Sequence, residues 1–275
     1  MLEALQYDFI QRAIIAGVLV SIICGMIGTL VVVNRIVFIA GGITHASYGG
    51  IGLSLFLKIP PTIGATIFSL LVSFVIGGVT LKDKQRADTV IGAIWAFGMA
   101  LGIILIDLTP GYNVDIMSYL FGNILTVSTF DLWVMGILSI FIFIIVSFFY
   151  KQFLTIAYDE EYAKVIKIPV NALYMLLLAL ISVSIIMIIQ VVGLILVIAL
   201  FTIPPYIAEK TSSSLYKMMM ISSFLSLIFT LCGLWLSYTK NLSSGASIIL
   251  VASLFFFMFE VFQYLKKKKF RFQRA

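Results

Sequence analysis

The chain has 275 residues, of which 62% are hydrophobic and 11% charged, with a mean hydropathy of +1.16. A soluble domain carries about 25% charged and 45–50% apolar residues, so a water-soluble protein is excluded and a polytopic membrane protein is expected. The net charge of +6 is local: residues 266–275 contribute six basic side chains, and the rest balances at twelve basic against twelve acidic. A basic run directly after an apolar helix reads as an anchor at anionic lipid headgroups, not as a nucleic-acid contact.

A membrane span needs about 20 apolar residues to cross a core ~30 Å thick. The first apolar stretch is too long for a cleaved signal peptide and has no basic leader, so 10–33 is expected to remain as the first span. Further spans are expected at 36–57, 60–81, 90–108, 130–150, 170–189, 191–209, 217–238 and 245–265. The result is an all-α bundle of nine spans, or eight if the uninterrupted apolar run at 170–208 is divided differently. Residues 1–265 form one transmembrane domain, followed by the basic tail 266–275. Residues 115–128, "DIMSYLFGNILTVS", are too short to cross and read as an interfacial or re-entrant helix.

Lys and Arg set the orientation. With the N-terminus outside and the C-terminus inside, the cytoplasmic side receives Arg35, Lys82, Lys84, Arg86, Lys151, Lys164, Lys167, Lys210, Lys217 and the tail, whereas the outside receives only Arg12, Lys58 and Lys240. The positive-inside rule favours that arrangement. Two hydrophilic cytoplasmic loops result, "KDKQRADT" (82–89) and "KQFLTIAYDEEYAKVIKIPV" (151–170). The second reads as an amphipathic helix, with Asp159 and Glu160 at its start, an apolar stripe of Ile156, Tyr162, Val165 and Ile166, and Lys164 and Lys167 near its end. Such a stripe suits a protein-docking helix better than a solvated linker.

The two cysteines, Cys24 and Cys232, lie in apolar runs, so no secreted disulfide framework is indicated. There is no GxxxxGK[ST] phosphate loop, no HExxH and no second histidine beside His45. "GAS" at 245–247 can be read as an intramembrane serine nucleophile with His45 as base, or as a small-residue helix contact. His45 follows Arg35 by ten residues and Cys24 precedes that arginine by eleven, so both lie ~15 Å deep at 1.5 Å per residue. Thr44, Ser47 and Tyr48 flank the histidine in sequence. An imidazole with a thiolate suits zinc or copper(I) better than manganese, although a buried cysteine is also an ordinary small hydrophobe. Ionisable groups at this depth are rare and usually face a pathway; the other reading of His45 is an interhelical hydrogen bond. Gly41, Gly42, Gly49, Gly50 and Gly52 allow close helix approach or leave room for a hydrated ion. Asp107 and Glu260 lie near span ends, where carboxylates reach water.

Six stretches occur in order: "VVVNRIVFIAGGITHASYGGIGL", "RADTVIGAIWAFGMALGIIL", "YLFGNILTVS", "YDEEYAKVIKIPV", "VVGLILVIALFTIPPYIAEK" and "NLSSGASIILVASLFF". Together they resemble the membrane permease subunit of the ABC importers for zinc, manganese and iron, over residues 15 to 262. The resemblance implies a pair of permease copies in the bacterial cytoplasmic membrane, two cytoplasmic ATP-binding subunits, and an extracellular or periplasmic metal-binding protein. It also implies that the chain is no enzyme, holds no tightly bound cofactor, and moves a divalent metal ion by alternating access while ATP acts on the partner. The segment with Asp159, Glu160, Glu161, Ala163 and Lys164 matches the helix that couples permease to ATPase. Asp159, Ala163, Ile168 and Pro169 fit that pattern, and Lys167 stands where a glycine is usual. His45 matches a histidine of the metal path, in which Thr44 and Cys24 are further candidates. An aspartate usually stands four residues before that histidine, and here the place is Gly41. A permease for a metal chelate, such as a siderophore or haem, is the nearest alternative, and an intramembrane hydrolase the third.

Overall fold

The computed structural model describes residues 7–83, 87–109, 122 and 124–272. Among them all regular elements are helical: α1 (Asp8–Val33), α2 (Val37–Phe56), α3 (Pro61–Lys82), α4 (Ala87–Asp107), a 3₁₀ turn (Ile124–Thr126), α5 (Thr129–Phe148), α6 (Tyr150–Tyr158), α7 (Glu160–Val165), α8 (Val170–Val192), α9 (Leu194–Thr211), α10 (Leu215–Lys240) and α11 (Ser244–Phe272). The all-α transmembrane bundle expected from the apolar runs is the one found.

Eight of these helices are long and apolar enough to cross a membrane. The remaining expected span, α2, has 20 residues and carries five glycines, His45 and four hydroxyl side chains. Its position explains that composition. It is wrapped by α3, α4, α8 and α9, and a helix that meets protein on its sides need not offer apolar side chains to lipid. The outer helices do so: on α5, Phe130, Trp133 and Ile137 are 75%, 71% and 64% exposed. Hydroxyls inside the bundle bond to their own helix, as Ser47 Oγ does to Thr44 O (2.6 Å) and Ser54 Oγ to Gly50 O (2.9 Å). This satisfies polar groups where water is absent.

The helices form two groups. α1 packs on α9 and α10, with α5 and α11 outside them, while α2 packs on α4 and α3, with α8 against α3; α9 joins the groups by touching α2. The run 170–208 is divided at Gly193, not near 190, because Gly193 adopts φ 81° and ψ 164°, a region open essentially to glycine alone.

The amphipathic helix expected over 151–170 is two helices. Asp159 leaves the helical region at φ −154° and caps α7, its Oδ1 accepting from Tyr162 N (2.9 Å), so one of its expected start residues makes the break. Most of the helix expected at 115–128 lies outside the described residues, as do Lys84 and Arg86. Gly122, the 3₁₀ turn, Val127 and Ser128 are the residues described there, and Ser128 caps α5.

Candidate functional site

From Ile39 to Gly52 every residue of α2 is buried except His45. Phe38 and Phe56, each 45% exposed, lie on the same face, since seven and eleven residues are close to whole turns of 3.6. The only histidine therefore opens outward from the most enclosed helix. Its ring lies flat on Trp95 of α4, with centroids 4.1 Å apart and planes 5° apart. The Trp95 Nε1–H donates to Met99 Sδ at 3.2 Å, and Phe38 sits 6.3 Å from the indole. His45 Nδ1 is buried with no hydrogen-bond partner, so the ring is held by stacking and not by the interhelical hydrogen bond that packing alone would suggest.

Glycines bring α4 this close. A Cβ at Gly98 would stand 2.6 Å from Ala46 Cα and 2.7 Å from Ala46 O, and one at Gly49 would stand 2.8 Å from Gly98 O. The backbones of α2 and α4 are thus in contact along a seam that includes the residue next to His45. Small residues permit such approach in membranes.

Thr44 points elsewhere. With Gly41 it lines a small cavity against Ile198 and Thr202 of α9, and its Oγ1 donates to Ala40 O (2.7 Å), leaving oxygen lone pairs free. Gly41 differs from the seam glycines, because a Cβ there meets only Ile198 Cδ1, at 3.7 Å. Cys24 is fully buried on α1, and α1 packs on α9 and α10 with hardly any contact to α2. The packing thus joins His45, Thr44 and Gly41 on one helix and leaves Cys24 apart. Among the described residues no three His, Cys, Asp or Glu side chains gather into a metal cage. Ser247 Oγ donates to Ser243 O (2.8 Å), and Gly233 lies against Ile248. The 245–247 stretch is therefore a helix contact, with no Ser247–His45 hydrogen bond.

The second candidate surface is α6–α7. Lys164 Nζ and Glu160 Oε1 pair at 2.7 Å, and this hydrogen bond holds the Lys164 ammonium above its ordinary pKa. Ala163 is fully buried, and its carbonyl accepts from Ile168 N (2.9 Å) while Lys167 N donates to Lys164 O (3.0 Å). These two bonds close the helix end with Lys167 at φ 63°, the position glycine prefers. That geometry accounts for the glycine usual there. Ala163 seats the helix, whereas Tyr158, Tyr162 and Val165 stand 87%, 55% and 77% exposed, with Glu161 exposed beside them. Tyr158, across the break at Asp159 from Tyr162, is the most exposed of the three, and the apolar stripe read from the sequence does not include it.

The model of the ABC 3 transport family matches residues 6–263. An uncharacterized membrane protein of Synechocystis sp. is 51% identical over 254 residues, 92% of this chain and 90% of that protein. The manganese transport system membrane protein MntC of Listeria innocua is 34% identical over the same shares of the two chains. The solved structure of PsaBC from Streptococcus pneumoniae in complex with Fab superposes with a TM-score of 0.85 at 32% identity, covering 94% of this chain and 93% of that one. Family match, relatives and architecture agree: the chain belongs to the ABC 3 transport family, as a multi-pass membrane permease of metal ABC transporters.

Proposed function

We propose that the chain is the permease subunit of an ATP-driven importer for a divalent metal ion, with manganese the first candidate among manganese, zinc and iron. The observation that carries this is His45, the one residue in the buried stretch from Ile39 to Gly52 that is not itself buried. Neutral imidazole is a ligand for such ions, while Thr44, which faces the small cavity against α9, offers its hydroxyl oxygen to an ion on that side of α2. Cys24 joins as a ligand only in a state of the cycle that brings α1 to α2. The chain performs no chemistry itself. A second copy covers the His45 face, two cytoplasmic ATP-binding subunits dock on α6–α7, and an extracellular metal-binding protein delivers the ion. Asp159, Glu160, Glu161, Ala163 and Lys164 build the coupling helix. Ala163 anchors it, Asp159 caps it, Glu160 and Lys164 brace it, and Glu161 faces the partner. The N-terminus lies outside and the C-terminus in the cytoplasm, which puts α6–α7 on the ATPase side.

Reconstitution with a partner ATP-binding subunit provides the test. Proteoliposomes supplied with ATP and Mn²⁺ are expected to accumulate the ion, and replacing ATP by a non-hydrolysable analogue should stop accumulation. Transport of a ferric chelate with no movement of free Mn²⁺, Zn²⁺ or Fe²⁺ would overturn the reading in favour of the chelate.

A further inference from the structure

A metal-binding imidazole ordinarily has its second nitrogen held by a carboxylate or carbonyl, which fixes the ring's orientation. His45 has no such partner at the buried Nδ1. The face of Trp95 takes its place, 4.1 Å away and 5° from parallel. The indole is itself fixed, by its hydrogen bond to Met99 one turn further along α4 and by the backbone contact at Gly98. A ring lying flat on another can swing only within its own plane, so its nitrogens stay directed along the edge of the stack. We infer that Trp95 is a positioning residue for His45: its face holds the imidazole in the plane in which a nitrogen meets the passing divalent ion. The inference rests on the proposal that His45 lines the path.

Two substitutions separate stacking from volume. Trp95→Phe keeps an aromatic face, whereas Trp95→Leu fills much of the space without one. The probe is Mn²⁺, titrated against the assembled transporter in nanodiscs with the unbound ion followed by electron paramagnetic resonance, together with ATP-driven uptake. Trp95→Leu is expected to weaken Mn²⁺ affinity by about three- to tenfold and to slow uptake, with the thermal unfolding midpoint unchanged. Trp95→Phe should restore both. The double variant His45→Ala/Trp95→Leu should bind no more weakly than His45→Ala, because the two side chains act as one unit. Wild-type affinity and uptake in Trp95→Leu would overturn the inference, as would equal damage in Trp95→Phe or a loss that follows the unfolding midpoint. Wild-type binding and uptake in His45→Ala would instead remove the reading of His45 itself, whatever Trp95 does.

Discussion

Replacing Gly98 by alanine adds one methyl group at the seam between α2 and α4. That methyl would stand 2.6 Å from Ala46 Cα, 2.7 Å from Ala46 O and 3.0 Å from Ala46 Cβ. Carbon atoms rest at about 3.5–4.0 Å, so the helices must part by about 1 Å. Backbone cannot rotate aside as a side chain can, and overpacking of this kind costs about 1–3 kcal/mol. Trp95 sits on the same seam, so the His45–Trp95 stack, 4.1 Å deep at present, opens with it. Gly92 supplies the control. It lies on the same helix, but a Cβ there meets nothing within 4 Å, and Gly→Ala in an open helical position gains up to about 1 kcal/mol. Thermal unfolding of the assembled transporter and Mn²⁺ uptake are the assays. Gly98→Ala should lower the midpoint and reduce uptake, while Gly92→Ala should leave uptake intact and hold or raise the midpoint. Equal behaviour of the two variants would refute the reasoning that backbone contact at Gly98 sets the site.

Four further outcomes are expected. Lys167→Gly should stabilise the α7 turn by about 1 kcal/mol, because a left-handed backbone costs a non-glycine residue about 1–2 kcal/mol; slower hydrogen exchange at Ile168 N would report it. Reversing the exposed Glu161 to lysine, or truncating Tyr162 to alanine, should weaken ATPase co-purification and uncouple hydrolysis from uptake without unfolding the chain. Gly41→Asp, which has room for its Cβ beside Ile198, should tighten Mn²⁺ binding by placing a carboxylate one turn from His45, read in the same titration as the wild type. Uptake by the wild type should fall on acidification, since protonation of the imidazole removes the ligand; the pH profile of ATP-driven Mn²⁺ uptake reads it.

Periodicity and length made most of the helices legible, because each outer helix must present an apolar surface to lipid over a fixed thickness. The same logic set α2 apart: its five glycines and His45 carried the information that it is enclosed. The break at Asp159 was less visible, because an apolar stripe can be drawn through Ile156 and Tyr162 whether or not the backbone turns between them. Tertiary contact decided what sequence spacing could not. Cys24 and His45 share a depth, yet α1 packs away from α2. Trp95 was not legible at all as a neighbour of His45, since nothing in a stretch of small and aliphatic residues fifty positions later marks which helix meets which. Lys167 stands where the resemblance expects glycine, and its φ of 63° is the reason glycine suits that place.

The most direct test of a metal path through His45 is ATP-driven Mn²⁺ uptake by proteoliposomes carrying the wild type, His45→Ala and His45→Gln at matched ATPase content. The account predicts that both variants lose uptake while retaining assembly and basal ATP hydrolysis, because neither alanine nor an amide replaces an imidazole ligand. Near-wild-type uptake by His45→Gln would contradict it.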